Sequence, residues 1–275
     1  MTRPYLVFIL PATALICLMF LAPLAWLAAL SFGLPDAPSL EHYAAIASSE
    51  GIRSMLWETL KLVTITTGVS LVLGYLVAFA MAHVSETQRL LLTLFVLVPF
   101  WLSVLARALA WLILLRHNGL LNETLIGMGA IDRPLQLVRN ELGVVIGMVH
   151  FLIPYAVFPL FAAMLTVDRR LVLAARSVGA RPWRAFFDIY VPVTLPAIFG
   201  AGVLVFIFGL GFFVTPAILG GGRVVMLSEY ISVSVLQTLR WAQAGALSMV
   251  LLVSVVALVW LVARVIGFRR LAGVG

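Results

Sequence analysis

Residues 142–165 read LGVVIGMVHFLIPYAVFPLFAAML, twenty-four consecutive residues without a charge. A helix needs about 20 apolar residues to cross the hydrocarbon core of a bilayer, and this stretch supplies them. Five more runs lie at approximately 6–30, 59–82, 90–115, 195–219 and 243–266, none with more than one charge. Such long runs, apolar without alternation, exclude a β-barrel. The first run is too long for a signal-peptide core and lacks a small-x-small cleavage site, so it counts as a retained span. It has no polar face on which to lie in the interface. The composition agrees: of 275 residues, 63% are hydrophobic and 11% charged, and the mean hydropathy is +1.15. A water-soluble domain is nearer half apolar and a quarter charged. A soluble enzyme, a disordered tail and a disulfide-stapled module are therefore excluded, the last because Cys17 is the only cysteine. The fold expected is an all-α membrane protein, a bundle of six transmembrane helices forming a single domain over 1–275.

The charges sort between two compartments. With the N-terminus cytoplasmic, the inside holds Arg3, Arg89, Arg169, Arg170, Arg176, Arg181, Arg184, Arg264, Arg269 and Arg270 against Glu86, Asp168 and Asp188. The outside holds Arg53, Lys61, Arg116, Arg133, Arg139, Arg223 and Arg240. With them stand Asp36, Glu41, Glu50, Glu58, Glu123, Asp132, Glu141 and Glu229. Ten basic residues against seven favour both termini inside, and the tight cluster at 169–184 and the basic C-terminus strengthen that orientation. The net charge of +7 is thereby read as membrane topology, and no nucleic-acid partner is expected.

Several chemistries have no residues to perform them. The only lysine, Lys61, follows Leu60, so no phosphate-cradling loop precedes it. No metal-binding histidine pair or cysteine pair occurs, and His42, His83, His117 and His150 are scattered. His150 reads as a packing histidine before it reads as a proton carrier. Gly220-Gly221-Gly222-Arg223 reads as an external turn before it reads as an anion nest. No Asp or Glu lies near the middle of a span, which counts against a proton-driven pump.

Residues 164–197, MLTVDRRLVLAARSVGARPWRAFFDIYVPVTLPA, form the one long cytoplasmic loop, with its core at 166–194. Asp168 can cap a short helix with Leu171, Val172, Ala175 and Val178 on one face. Gly179 can stop it in a left-handed turn, and Pro182 can open a second short helix. The spacing predicts a compact elbow of two amphipathic helices carrying a net charge of +3. Lipid is one surface on which it could rest.

This loop resembles that of importer permeases of the ATP-binding-cassette class, which carry E-A-A-x3-G-x9-I-x-L-P. Here Ala174-Ala175, Gly179, Ile189 and Pro192 fall at the matching positions, while Leu173 replaces the glutamate and Val191 the leucine. The resemblance implies that the loop docks on an ATPase subunit through Asp168, Leu173, Ala174, Ala175, Arg176, Gly179, Ala180, Ile189 and Pro192. Pro99-Phe100-Trp101 with Leu105 and Arg107, Asn118-Gly119 with Asn122, and Phe213-Val214-Thr215-Pro216 with Leu219-Gly220-Gly221 narrow the likeness. Together they resemble the first permease of spermidine/putrescine-type transporters, a group that also includes opine and phosphonate systems. What that implies is a six-helix importer-permease bundle with a cytoplasmic coupling-helix loop, in a bacterial inner membrane. Its expected partners are two ATPase subunits, a second permease, a solute-binding protein and lipid. It is not itself an enzyme and holds no cofactor, since ATP and Mg belong to the ATPase chains.

By the same resemblance Trp101 and Phe213 line the solute path, with Trp111 about 15 Å further along a helix. Aromatic faces suit an organic ammonium ion, although tryptophan also favours membrane interfaces. Arg107, costly in lipid, either snorkels outward or faces the bundle interior, where it would not help a cation. A self-sufficient carrier or channel and a membrane scaffold are the competing readings, and the Ala-Ala-x3-Gly loop speaks against both.

Overall fold

The computed structural model describes residues 3–35 and 37–266. Asp36 and the basic C-terminal pair Arg269 and Arg270 lie outside the described residues. The chain is helical almost throughout: α1 Arg3–Ser31, α2 Glu41–Ser48, α3 Glu50–His83, α4 Glu86–Trp101, α5 Val104–Leu115, α6 Leu120–Gly127 and α7 Glu141–Leu165. Then follow α8 Arg169–Ser177, α9 Pro182–Ala185, a π-helical turn Phe186–Tyr190, α10 Val191–Leu210, a second π turn Pro216–Gly220, α11 Leu227–Leu236 and α12 Trp241–Ile266. Among the described residues, six stretches are long and apolar enough to cross a membrane: Leu10–Ser31, Glu50–His83, Val104–Gly127, Glu141–Leu165, Pro182–Leu210 and Trp241–Arg264.

Two of the expected spans need correction. The run at 90–115 is two helices, because Leu102 and Ser103 are extended. Serine favours the residue just before a helix, and the Ser103 carbonyl accepts the Arg107 N–H at 3.1 Å, opening α5. The run at 195–219 starts earlier and stops at Leu210, where Gly211 and the loop before Pro216 end the helix. Pro192 explains the first π turn: its ring would clash with the Asp188 carbonyl four residues back, and widening the helix relieves it.

The described chain divides into two compact units. One comprises Met1–Ser54 and Tyr230–Ala257. Within it Gly245 lets α12 approach the end of α1, since a Cβ there would meet the Leu27 carbonyl oxygen and the Ser31 nitrogen at 3.3 Å. The buried Ser31 hydroxyl donates to the Ala28 carbonyl at 2.6 Å and lies 2.8 Å from the Tyr43 hydroxyl. Along α1, from Leu10 to Leu21, the apolar side chains are exposed, as a lipid-facing helix requires.

The other unit comprises Met55–Glu229 and Leu258–Gly275. Its centre is α7, whose Leu152, Ala156, Val157 and Leu160 are fully buried against Ala78 and Met81 of α3, Val96 of α4 and Ala201 and Val205 of α10. Between apolar helices in lipid, close packing by small residues replaces the hydrophobic drive. Gly74 is the close approach: a Cβ there would stand 2.7 Å from the Ala156 Cβ. Polar ties close the ends. The Lys61 ammonium donates to Glu141 at 2.8 Å and pairs with Glu58 at 2.8 Å. The Asn122 amide, 1% exposed, donates to the carbonyls of Arg116, His117 and Leu135 while its oxygen accepts the Leu135 N–H. Asn122, flagged above by resemblance, thus stitches the 116–135 loop.

Gly74→Ala is expected to overpack this contact by about 1–3 kcal/mol and to lower the thermal midpoint of the detergent-purified chain. Gly68, on the same helix, has open space around it. Gly68→Ala should raise the midpoint slightly, by the roughly 0.5–1 kcal/mol that alanine gains over glycine in a helix.

Candidate functional site

The elbow forms as its punctuation dictates at the first arm. Asp168 is extended and its carboxylate accepts the Arg170 N–H at 2.9 Å, a cap that stabilises α8 by about 1 kcal/mol. At the other end Gly179 has φ +92°. The Gly179 N–H donates to the Arg176 carbonyl at 3.1 Å and the Ala180 N–H to the Ala175 carbonyl at 3.1 Å. That pair of bonds is the Schellman closure of a helix. Pro182 stands at the first position of α9.

Two expectations for the elbow are corrected. The second arm is not a separate short helix: α9 runs through the π turn into α10, so Pro182–Leu210 is one continuous rod. The apolar residues of α8 also do not share one buried face. Val172 and Ala175 are half-buried, whereas Leu171 and Val178 are exposed beside Leu173. A nine-residue helix carries apolar residues all round, one side covered and the other open. Trp183 and Phe187 add exposed apolar area, and the Arg184 guanidinium lies 5.2 Å from the Trp183 ring centroid. Ala174, Arg176 and Pro192 are exposed, while Ala180 and Ile189 are half-buried.

Sequence reasoning missed what lies beneath. Tyr190 is buried, stacked on Phe186 at 5.8 Å and edge-on to Phe79 at 5.3 Å. Around this aromatic knot a cavity of about 530 Å³ separates α8 from the ends of α3 and α7, lined among others by His83, Met164, Val172 and Arg176. The signal was present in the FFDIY run, but aromatic residues at the mouth of a span read equally as interface anchors.

The second constellation is built at the break between α4 and α5. Arg107 faces the interior and is only 8% exposed, with its guanidinium 4.4 Å from the Phe151 ring centroid. Such a cation–π contact contributes about 2 kcal/mol when desolvated. Trp111, one turn on, sits edge-on to His150 at 5.6 Å. Phe151 continues to Phe212 at 4.4 Å and Tyr155 at 5.8 Å, and Tyr155 to Phe208 at 4.3 Å and Phe100 at 5.4 Å. The structure therefore brings Arg107 and Trp111 together through α7, and Phe151, Tyr155, Phe208 and Phe212 join them unforeseen. Trp101, the last residue of α4, is 78% exposed, and neither it nor Phe213 has a ring partner among the described residues. Outside the spans, burial pushes the Glu229 carboxyl above its ordinary range, opposed by a backbone hydrogen bond at Met226. Among the described residues, no three side chains of histidine, cysteine, aspartate or glutamate come together as a metal site would need.

Residues 70–271 match the family described as binding-protein-dependent transport system inner membrane component. The spermidine/putrescine transport system permease protein PotB of Haemophilus influenzae is 33% identical over 76% of this chain and 73% of its own length. The protein of the same name from Escherichia coli strain K12 is 34% identical over 72% of each chain. A putative 2-aminoethylphosphonate transport system permease, PhnU, of Salmonella typhimurium is 27% identical over 74% of this chain and 71% of its own. Among solved structures, a bacterial transporter importing the acidic polysaccharide alginate superposes with a TM-score of 0.75. It covers 96% of this chain and 95% of its own at 19% identity, which shows the shared fold.

Phe212 is 8% exposed and Phe213 41%. Phe212→Ala is therefore expected to cost about 3–5 kcal/mol, read as a lower thermal midpoint, while Phe213→Ala leaves the midpoint nearly unchanged.

Proposed function

This chain belongs to the family of binding-protein-dependent transport system inner membrane components, as the permease subunit of an ATP-binding-cassette importer, and we propose that it forms half of the membrane path for a small organic amine. The carrier and channel readings fall with that membership. The observation that carries the solute reading is the aromatic chain from Phe100 to Phe212, joined to an exposed Trp101 at a break in the third span. Irregular backbone at membrane depth is tolerated where protein or a water-filled cavity covers it, and aromatic faces attract alkylammonium groups. PotB, named for spermidine and putrescine, supports a solute of the polyamine or opine kind. Trp101, Trp111, Phe213 and Arg107 are assigned to the path.

In this proposal two ATPase subunits bind ATP and Mg, a second permease completes the bundle, and an external binding protein delivers the solute. One of the solved relatives is an alginate transporter in complex with a pentasaccharide-bound periplasmic protein, which supports the last of these partners. Both termini lie on the ATPase side. The elbow docks there through exposed Leu173, Val178, Trp183 and Phe187, ringed by Arg170, Arg176, Arg181 and Arg184.

Reporter fusions after residues 45, 86, 128, 180 and 230 should alternate outside, inside, outside, inside, outside; an inside signal at 128 overturns the orientation. Gly179→Val places a β-branched residue at φ +92°, a penalty of roughly 1–2 kcal/mol that redirects the elbow. It should abolish ATP-driven uptake while the chain remains inserted. Near-normal uptake by that variant removes the coupling role. Trp101→Ala should lower solute uptake with ATPase co-purification intact, and unchanged uptake at low and saturating solute returns Trp101 to an interface belt.

A further inference from the structure

Three nitrogens near the broken third span have no hydrogen-bond partner although they are buried: Nε and Nη1 of Arg107 and Nδ1 of His150. The two side chains stand in one cluster. Arg107 lies over Phe151, the residue after His150, and Trp111, one turn beyond Arg107 on α5, packs against the His150 ring. Buried polar groups in native proteins are paired nearly without exception, so each orphan calls for an explanation. Arginine nitrogens only donate, and Nδ1 of histidine donates whenever it carries the ring proton. What the cluster lacks is an acceptor. Among the described residues the ion pairs engage Arg53 and Lys61, and Arg107 has none. The Phe151 ring offsets part of the charge but offers no oxygen. The same charge stands in the first turn of α5, where the opening N–H groups have no helical acceptor and no side chain caps them. A helix start presents the positive end of its dipole.

We infer that Arg107 receives a carboxylate or phosphonate group carried by the transported amine, beside the α4–α5 break. This deepens the amine-importer reading and rests on it. A polyamine with ammonium groups at both ends brings only donors and leaves both arginine nitrogens orphaned. A molecule with an ammonium at one end and an acid at the other meets both chemistries: aromatic faces for the first, a forked guanidinium for the second.

The test compares 4-aminobutyrate and 2-aminoethylphosphonate with putrescine, which matches 4-aminobutyrate in length but lacks the acid. Each is titrated into the purified full-length chain, assembled with its partner subunits, while the thermal midpoint is followed. The two acids should raise the midpoint and putrescine should not. Arg107→Gln should weaken the apparent affinity for the acids by roughly 10–100-fold, the loss expected for charge-assisted hydrogen bonds. Arg107→Lys, which keeps the charge without the fork, should fall between. An equal shift with putrescine, no shift with any probe in the wild-type protein, or shifts that survive Arg107→Gln overturns the site. So does loss of the second permease on Arg107→Gln with probe shifts unchanged, since the guanidinium then pairs with a partner's carboxylate. ATP-driven uptake is read separately in vesicles. Absent uptake of every amine with the midpoint shifts intact defeats the amine-importer reading alone, and uptake with no shifts defeats the anion site alone.

Discussion

In hydrocarbon an unpaired backbone group has no water to turn to, and each one costs several kcal/mol. That constraint organises the larger unit. Two of its helical runs are broken, between Trp101 and Val104 and again after Leu210, so something must cover the breaks. The cover is α7, unbroken from Glu141 to Leu165 despite Pro154 and Pro159. It lies against α3, α4, α5, α10 and the second π turn, and half of its apolar window is buried. Glycines set how near its neighbours come: Gly74 against Ala156, and Gly147 against Thr215 and Leu219, where a Cβ would stand 2.5 Å from both side chains. The rigid member makes the irregular ones affordable.

The number of spans was legible in the sequence because it rests on composition alone. Any helix crossing lipid must be apolar for about 20 residues, and loops must carry the charges. The breaks were not legible. Pro154 and Pro159 would suggest interruptions that do not occur, whereas Ser103, an ordinary residue in an apolar run, opens a new helix. Whether a proline or a serine interrupts a membrane helix depends on what neighbouring helices supply, and a single sequence does not display its neighbours.

The site residues divide along similar lines. At the elbow Asp168, Gly179 and Pro182 could be placed because each acts locally: a cap, a left-handed turn and a fixed φ. Which apolar residues of α8 are covered could not, since Leu171 and Val172 differ only in which way the helix is turned. After Leu210, Phe212 and Phe213 are adjacent outside any helix, so periodicity says nothing about which one packs inward. The resemblance pointed to Phe213; the structure buries Phe212 against Phe151. His150 reads as a packing residue in the sequence, and its orphaned nitrogen becomes visible only beside Arg107.

The elbow and the path are joined by covalent geometry as well as by packing. From Pro182 the chain runs through α9, the π turn and α10 to Leu210 with no loop in which to absorb a displacement. Two contacts fix the lower part of this rod to the bundle: Tyr190 within its aromatic knot, and the Tyr75 hydroxyl 3.0 Å from that of Thr194. At the far end Phe208 meets Tyr155 and the loop residue Phe212 meets Phe151, the ring over which Arg107 lies. A shift of α9 relative to α3 therefore has two outlets. It can be absorbed at the π turn, where the helix is already widened, or it can travel along α10 to the ring cluster. The cavity of about 530 Å³ beneath α8 gives the first arm room to move without first unpacking α7. The second arm has no such freedom, because Tyr190 and Thr194 are buried in the core. Under the proposed coupling, a push on the elbow that the π turn does not absorb would move the whole fifth helix, and the first side chains of the ring cluster to feel it would be Phe208 and Phe212.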